Sequence, residues 1–357
     1  MEKKSGSVVY KNILVLNLRK IGDTIMATAA AYLLKKAYPD AKVTMLVKPL
    51  TRTIVENNPV VDEVLLYNYS HKAKISEIRQ TAGLLKSRQF DLAVVIDGKP
   101  RSAILAYLAG IPNRIGFENI TLRNIYLRLF YTQIYDIDYD FAATQQVKNH
   151  EIFINRITKR NDTARMIMPE VPEADKKIID ELLSGFPADK FKIALCIRSG
   201  IAYKDWPQDS FIKTVQGLSQ EHNNAVFYTV GSNNDYTYAQ EFIRKSDMNI
   251  KNLCGRTNLP QLGYLLQKTD FLLSVDTGTA HIAAAVNTKE VVVFAGTSHR
   301  HWAPYGGNVA VVSPDISCYP CKDKVRRKCI DYPCLQNVSV NQVIAACDKV
   351  LADMEGT

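Results

Sequence analysis

The sequence predicts an α/β protein made of two doubly wound domains that face a central cleft. Its 357 residues exceed what one hydrophobic core usually supports, so two domains are expected. Short apolar runs alternate with longer helix-like segments in both halves, which favours parallel sheets covered by helices. Between the halves, residues 161–175 contain Pro169 and Pro172 and are predicted to form a linker. We therefore expect domains at residues 1–165 and 176–357, with ligands at the carboxyl ends of the strands.

The elements of the first half follow from its apolar runs. Residues 12–18 (NILVLNL) predict a strand, and an Ala- and Leu-rich helix is expected over residues 24–38, where Pro39 stops it. Further strands are predicted at residues 42–47, 63–66 and 91–96, and a helix at residues 75–87. Residues 122–131 mix arginine with bulky apolar side chains, which is compatible with an ordinary domain helix or with contact at a membrane surface.

The second half shows the same alternation of strands and helices, but its sequence does not repeat that of the first half. Strands are predicted at residues 192–197, 225–230, 271–275 and 291–294. Helices are predicted at residues 209–220, 236–245 and 259–267, with another over residues 282–286 and an amphipathic one at residues 340–353.

Composition and charge exclude several classes of protein. The content of 46% hydrophobic and 23% charged residues is typical of a soluble globular protein. The charged N-terminus lacks the apolar stretch of a secretory signal, and no apolar run approaches the ~20 residues of a membrane span, so we expect a cytoplasmic protein. Neither G-x-G-x-x-G after the first strand nor a Walker A sequence is present, which argues against nicotinamide dinucleotides and P-loop chemistry.

The positive charge is confined to one half. The net charge is +9, and residues 1–165 hold 25 Lys and Arg against 15 Asp and Glu. Such a surface suits nucleic acid, an anionic membrane surface or an acidic acceptor, or it serves solubility alone. Basic residues are not interleaved with stacking aromatic residues, so nucleic acid is not the expected partner.

The segment from Asp276 to His281 (DTGTAH) carries the strongest functional signal. It follows the buried run DFLLSV and precedes a helix-like stretch, so backbone N–H groups are expected to be available to an anion. The alternative is a helix N-cap followed by a core histidine. Five of the six residues are Asp, Thr, Gly or His, which favours a binding role for a nucleotide diphosphate.

Two other strand-to-helix loops carry candidate groups. Asp23 follows Gly22 and is expected either to stabilise a helix start or to accept a proton from an attacking hydroxyl. Ser199 and Lys204 follow the first strand of the second half and are candidates for a phosphate site, the alternative for Lys204 being a solvated loop side chain.

Two acidic or cysteine-rich patterns are open to a metal interpretation. Residues 136–140 (DIDYD) are interpreted as a solvated acidic loop rather than a metal-binding D-x-D pair. Four cysteines follow the pattern C-x2-C-x7-C-x4-C, which is compatible with zinc or iron, although reduced thiols in a packed loop are the favoured interpretation: Cys318, Cys321, Cys329 and Cys334.

Taken together, these segments resemble the ADP-heptose:lipopolysaccharide heptosyltransferases, glycosyltransferase family 9. The likeness is carried by residues 13–47, NRIGF at residues 113–117, residues 253–286 (with DTGTAH), VVVFAGTSHRHWAPYG at residues 291–306 and the cysteine-rich segment. It implies the GT-B fold of two Rossmann-like domains, a nucleotide-sugar donor and an anionic lipid-linked saccharide acceptor at the inner-membrane surface. It implies neither a cofactor nor a metal.

The resemblance also implies roles for individual residues. Asp23 corresponds to the proposed catalytic base, and Lys99 and Arg101 are candidates for acceptor contacts. The expected donor-binding residues are Ser199, Lys204, Asp235, Asp276, Thr277, Gly278, Thr279 and His281. Thr279-Ala280 replace a common Pro-Met pair, which bears on the sugar accepted. The expected reaction is an inverting displacement; a UDP- or GDP-hexose donor, or a binding protein without turnover, are the alternatives.

Overall fold

In the computed structural model, the described residues are 9–68, 74–117, 125–326 and 328–355. They divide into two compact units. The first unit extends to Phe141 and takes in Gln146–Pro169. The second consists of Ala142–Gln145 and the chain from Glu170 onward.

The first unit contains a six-stranded parallel sheet in the order β3-β2-β1-β4-β5-β6. Its strands are β1 (Asn12–Leu16), β2 (Lys42–Val47), β3 (Glu63–Leu66), β4 (Leu92–Val95), β5 (Asn113–Phe117) and β6 (Gln133–Tyr135). Its helices are α1 (Ile21–Ala37), α2 (Arg52–Val55), α3 (Ile75–Ser87), α4 (Pro100–Leu108) and α5 (Gln146–Thr158).

The second unit contains another six-stranded parallel sheet, in the order β12-β11-β10-β7-β8-β9. Its strands are β7 (Phe191–Cys196), β8 (Ala225–Thr229), β9 (Ile250–Asn252), β10 (Phe271–Val275), β11 (Lys289–Val293) and β12 (Val309–Val312). Its helices are α6 (Glu173–Ser184), α7 (Gln208–Glu221), α8 (Tyr236–Ser246), α9 (Leu259–Gln267), α10 (Gly278–Ala285), α11 (His299–Trp302), α12 (Asp323–Arg326), α13 (Pro333–Asn337) and α14 (Val340–Glu355).

The two sheets have the same topology. In each, the first strand lies beside the fourth, and the chain winds outward from this central pair in opposite directions. The strand order therefore reverses between β1 and β4 in the first unit and between β7 and β10 in the second. Loops diverge at such a point and leave a crevice at the carboxyl ends of the strands, where doubly wound sheets bind ligands. The predicted α/β class with doubly wound sheets is confirmed.

Central strands are apolar because both of their faces are covered. All five residues of β10 are buried, as are the last four of β1. Pairing of β10 with both β7 and β11 satisfies its backbone groups, so an uninterrupted apolar run is stable there. The predicted bounds of β2, β3, β10, α3 and α9 agree with the structure.

Several predicted boundaries were wrong. The helix expected over residues 282–286 begins at Gly278, so the last four residues of the DTGTAH segment belong to α10. Two further cases have a clear physical reason. The first helix begins at Ile21 rather than at residue 24, because Gly22 and Asp23 form its first turn, where a carboxylate interacts favourably with the helix dipole. The predicted linker over residues 161–175 already contains the start of α6, since Pro172 is the N-cap of that helix instead of a residue of an extended connection.

In the described part of the 122–131 stretch, from Ile125 onward, the chain does not form the regular domain helix that was one of its two interpretations. Residues 122–124 lie outside the described residues, and Ile125–Leu129 form a short 3-10 helix. Leu127 is buried, whereas Ile125, Tyr126 and Leu129 are exposed. None of the helices in the described part of the chain combines the length and apolar character that a bilayer span needs.

Candidate active site

Two loops of the second unit meet where the strand order reverses. Lys204 lies in the loop after β7, and its Nζ atom is 2.6 Å from Oδ2 of Asp276, the first residue after β10. The two side chains are 17% and 5% exposed, so this ion pair is largely shielded from water. Thr297, in the loop after β11, donates a hydrogen bond of 2.5 Å to the same oxygen. Asp276 thereby fixes the lysine ammonium beside the start of α10.

The start of α10 offers backbone donors close to that lysine. Thr277 is the N-cap in an extended conformation, and its side chain makes no capping hydrogen bond. Gly278 begins the helix, so N–H groups of the first turn have no carbonyl partner within the helix. Thr279 and His281 are 8% and 5% exposed. A cation and a helix N-terminus side by side form a suitable environment for a diphosphate.

The loop that carries Lys204 is held firmly by its own side chains. The backbone N–H and the hydroxyl of Ser199 both donate to Oδ1 of Asp205, each at 2.6 Å. Gly200 has a φ of +73°, a conformation that favours glycine. Trp206 is fully buried, and its Nε1 donates to the carbonyl of Val338 at 3.1 Å. The Ser199 hydroxyl is therefore engaged within the loop in this structure.

Asp235 lies after β8, the strand next to β7. Its Oδ2 accepts hydrogen bonds from the backbone N–H of Ser232 at 2.9 Å and from the Ser232 hydroxyl at 2.6 Å. The carboxylate thus closes its own turn. The assignment of Asp235 to donor binding stays a prediction.

Asp23 lies in the first turn of α1, directly after the loop that follows β1. Its side chain is 22% exposed, and its Oδ1 lies 3.9 Å from Nε of Arg19. That arginine donates from Nε and Nη2 to the carbonyl of Asp97 at 2.9 and 2.7 Å. Asp23 is therefore a partly accessible carboxylate at the carboxyl edge of the first sheet.

Asp97 organises this edge, and the sequence interpretation did not identify it. The residue is 2% exposed, and Oδ2 accepts from the Leu18 N–H at 2.8 Å and from the Ser102 hydroxyl at 2.7 Å. Oδ1 accepts from the Lys99 N–H at 2.9 Å. Burial raises the pKa of Asp97, while these hydrogen bonds and Arg19 oppose the rise. The available signal was an acidic residue directly after the apolar run of β4.

Asp97 joins the loop after β1 to the loop after β4, where the strand order of the first sheet reverses. The candidate acceptor residues lie on the second of these loops. Lys99 is exposed and is the N-cap of α4. The guanidinium of Arg101 lies 5.9 Å from the centre of the Tyr67 ring, which follows β3. Asp23, Lys99 and Arg101 therefore share one edge of the first sheet.

The four clustered cysteines lie near one another: burial raises the pKa of the Cys321 thiol, and Cys334, Cys318 and Cys329 add to the rise. Cys318 is exposed and Cys334 buried, and all seven cysteines are free thiols. Within the described ranges, no three of the sulfur atoms of Cys318, Cys321, Cys329 and Cys334 lie within 4.8 Å of one another. Burial raises the pKa of the Cys196 thiol, at the end of β7, to about 12, so this group is protonated at neutral pH and not a nucleophile.

In the DIDYD segment, Asp138 pairs with Arg156 at 2.5 Å and is 67% exposed. That hydrogen bond lowers the pKa of the Asp138 carboxyl. The exposed carboxylate in a non-helical stretch agrees with the interpretation of a solvated acidic loop.

Comparison with known proteins relates this chain to one family. The family model described as glycosyltransferase family 9 (heptosyltransferase) matches residues 78–330. Lipopolysaccharide heptosyltransferase 3 of Escherichia coli K12 is 25% identical over 346 residues, which cover 94% of this chain and 97% of that protein.

Solved structures share the whole fold. A glycosyltransferase family 9 protein from Veillonella parvula superposes with a TM-score of 0.86 at 19% identity, covering 98% of this chain and 100% of that one. E. coli heptosyltransferase WaaC with ADP-2-deoxy-2-fluoro heptose gives a TM-score of 0.70 at 18% identity, covering 95% and 99%. These neighbours have the GT-B fold. Because the family model covers more than half of its residues, the chain belongs to glycosyltransferase family 9, the heptosyltransferases, and is a glycosyltransferase.

Proposed function

We propose that this enzyme transfers a heptose from ADP-heptose to a lipopolysaccharide core saccharide, with inversion at the anomeric carbon. Family membership and the names of the relatives support the heptose and the acceptor class. The complex of WaaC with a fluorinated ADP-heptose supports the ADP moiety. The single observation that carries the proposal is the Lys204–Asp276 ion pair at the start of α10.

The donor would bind to the second unit. Lys204 and the free N–H groups at Thr277–Thr279 would stabilise the negative charge that grows on the ADP leaving group. Asp276 orients the lysine, and Ser199 and Gly278 are assigned to the donor phosphates. His281 is assigned to the transferred sugar and Asp235 to the donor ribose. An ammonium and a helix N-terminus supply the positive potential that a divalent metal provides in other transferases, so we propose a metal-independent reaction without a resident cofactor.

The acceptor would bind to the first unit. Asp23 would take the proton of the acceptor hydroxyl as the oxygen attacks the anomeric carbon and the bond to ADP breaks. Lys99 and Arg101, on the same sheet edge, are assigned to anionic groups of the acceptor. The excess positive charge of residues 1–165 and the exposed Ile125, Tyr126 and Leu129 support contact with the cytoplasmic face of the inner membrane.

A donor screen tests the assignment. Thermal shifts with ADP, UDP and GDP should show stabilisation by ADP alone, and ADP-heptose should support transfer to a heptose-deficient lipopolysaccharide core without added metal. Stabilisation by UDP or GDP, with turnover of the matching hexose donor, would instead establish the alternative donor. Donor binding with no transfer to any acceptor would establish a non-catalytic binding protein.

A further inference from the structure

Helices α7 and α14 approach each other closely at a glycine. A Cβ atom on Gly217 would lie 2.8 Å from Cδ1 of Ile344, closer than side-chain carbons approach. The absence of a side chain at Gly217 therefore allows α14 to pack tightly on α7. Val343 and Cys347 of α14 and Leu218 of α7 belong to one apolar core of the second unit, which stabilises this contact.

One turn beyond that contact, three metal-ligating side chains converge. Glu221 ends α7, His222 is its C-cap, and Asp348 lies on α14, four residues after Ile344. One ligand atom from each of the three lies within 4.8 Å of the others. Nε2 of His222 is 3.8 Å from Oδ1 of Asp348. In the described part of the chain no other group of three such residues meets this distance.

Two of these ligand atoms are buried, although the His222 and Asp348 side chains as a whole are 26% and 40% exposed. Nε2 of His222 and Oδ1 of Asp348 are both inaccessible to water, and neither has a hydrogen-bond partner among the described residues. A cation placed between these converging imidazole and carboxylate groups would give both unpartnered atoms a ligand contact.

We propose that Glu221, His222 and Asp348 bind a divalent first-row transition metal ion of the zinc type. One imidazole nitrogen and two carboxylate oxygens are a common ligand set for such ions, and the exposed side of Glu221 leaves room for a water ligand. Mg²⁺ and Ca²⁺ prefer sets made of oxygen alone, so the imidazole selects against them. The ion would cross-link α14 to α7 and stabilise the second unit. The site lies on helices outside the donor loops, so the proposal is independent of the donor assignment.

The test uses the untagged full-length protein after treatment with a chelator. Zn²⁺ should raise its melting temperature and bind in one equivalent that Mg²⁺ and Ca²⁺ do not displace. Co²⁺ should give visible d–d absorption without the near-ultraviolet charge-transfer band of a thiolate, which separates this site from the cysteine-rich segment. His222→Gln and Asp348→Asn should each weaken Zn²⁺ binding about tenfold or more.

The matched control is Asp180→Asn, which removes a carboxylate of similar exposure from α6 of the same unit. It should bind Zn²⁺ like the wild type. All three variants should be folded, as judged by circular dichroism before metal is added. Zn²⁺ affinity that His222→Gln leaves unchanged would overturn the proposal. So would Co²⁺ spectra that show thiolate ligation alone, or a melting temperature that Zn²⁺ does not raise.

Discussion

The ammonium of Lys204 lies 2.6 Å from the carboxylate of Asp276, although 71 residues separate them along the chain. The pairing of β10 with β7 brings the two loops together. In its proposed role the lysine exchanges part of this contact for the donor phosphates. A charged hydrogen bond contributes about 1.5–3 kcal/mol, so Lys204→Ala should weaken ADP binding roughly tenfold to a hundredfold.

Calorimetric titration with ADP measures this effect directly. Lys245→Ala is the matched control, because it removes an exposed lysine that pairs with Glu241 on α8. This variant should keep wild-type affinity. If Lys204→Ala bound ADP as tightly as the control, the lysine would not be part of the phosphate site.

Asp97 is predicted to position the sheet edge that carries Asp23, the proposed base, without contacting the donor. In Asp97→Asn, one of the acceptor oxygens becomes an NH2 group that faces a backbone N–H donor, from Leu18 or Lys99. An unpaired buried group costs about 1–3 kcal/mol, so the free energy of unfolding should fall by that amount. Turnover should fall with it, while ADP affinity stays constant.

Urea unfolding and steady-state kinetics measure the two effects. Ser102→Ala removes only one hydrogen bond of Asp97 and should destabilise the protein by about 0.5–1.5 kcal/mol. If Asp97→Asn had wild-type stability and turnover, the positioning role would be wrong.

Glu290 in β11 predicts a specific dependence of stability on pH. Its side chain is fully buried, and neither carboxylate oxygen has a hydrogen-bond partner among the described residues. Burial raises the pKa of Glu290 well above its ordinary value of 4.5. At pH values between 4.5 and the raised pKa, Glu290 is deprotonated in the unfolded chain but still protonated in the folded protein. The contribution of Glu290 to stability is therefore greatest at low pH and declines as the pH rises through the folded pKa.

Glu290→Gln removes this titration. Its stability relative to the wild type should increase by up to about 1.4 kcal/mol per pH unit as the pH rises above the ordinary pKa. Urea unfolding at a series of pH values gives the slope. Glu241→Gln, an exposed glutamate on α8, should show no such trend, and equal slopes for both variants would refute the assignment to Glu290.

Much of the fold was predictable because its strands are buried on both faces and therefore apolar. The bounds of β10 follow from an uninterrupted apolar run, and those of α9 from the spacing of its leucines. Helices α4 and α5 were missed, since Pro100 at the start of α4 and the polar, Tyr-rich stretch before α5 resemble loops. The three-residue strands β6 and β9 are too short to show a periodicity.

The candidate site was predictable as a set of loops but not as a set of contacts. The DTGTAH segment and the Gly22-Asp23 pair could be selected as candidates because they place polar and charged residues directly after apolar strands. The hydrogen bonds of Asp97 depend on which strands are neighbours, and that order cannot be read from local sequence. The Lys204–Asp276 pair depends on it in the same way. The cluster of Glu221, His222 and Asp348 depends on the packing of two helices more than 100 residues apart.

The most direct test of the proposed mechanism is the turnover of Asp23→Asn with ADP-heptose and a lipopolysaccharide core acceptor. General base catalysis contributes about 10²–10⁴-fold, so kcat should fall by that factor. Affinity for ADP should match that of the wild type and of Asp40→Asn, an exposed carboxylate of the same unit. The proposal predicts lost transfer with intact donor binding. Wild-type turnover in Asp23→Asn would contradict it.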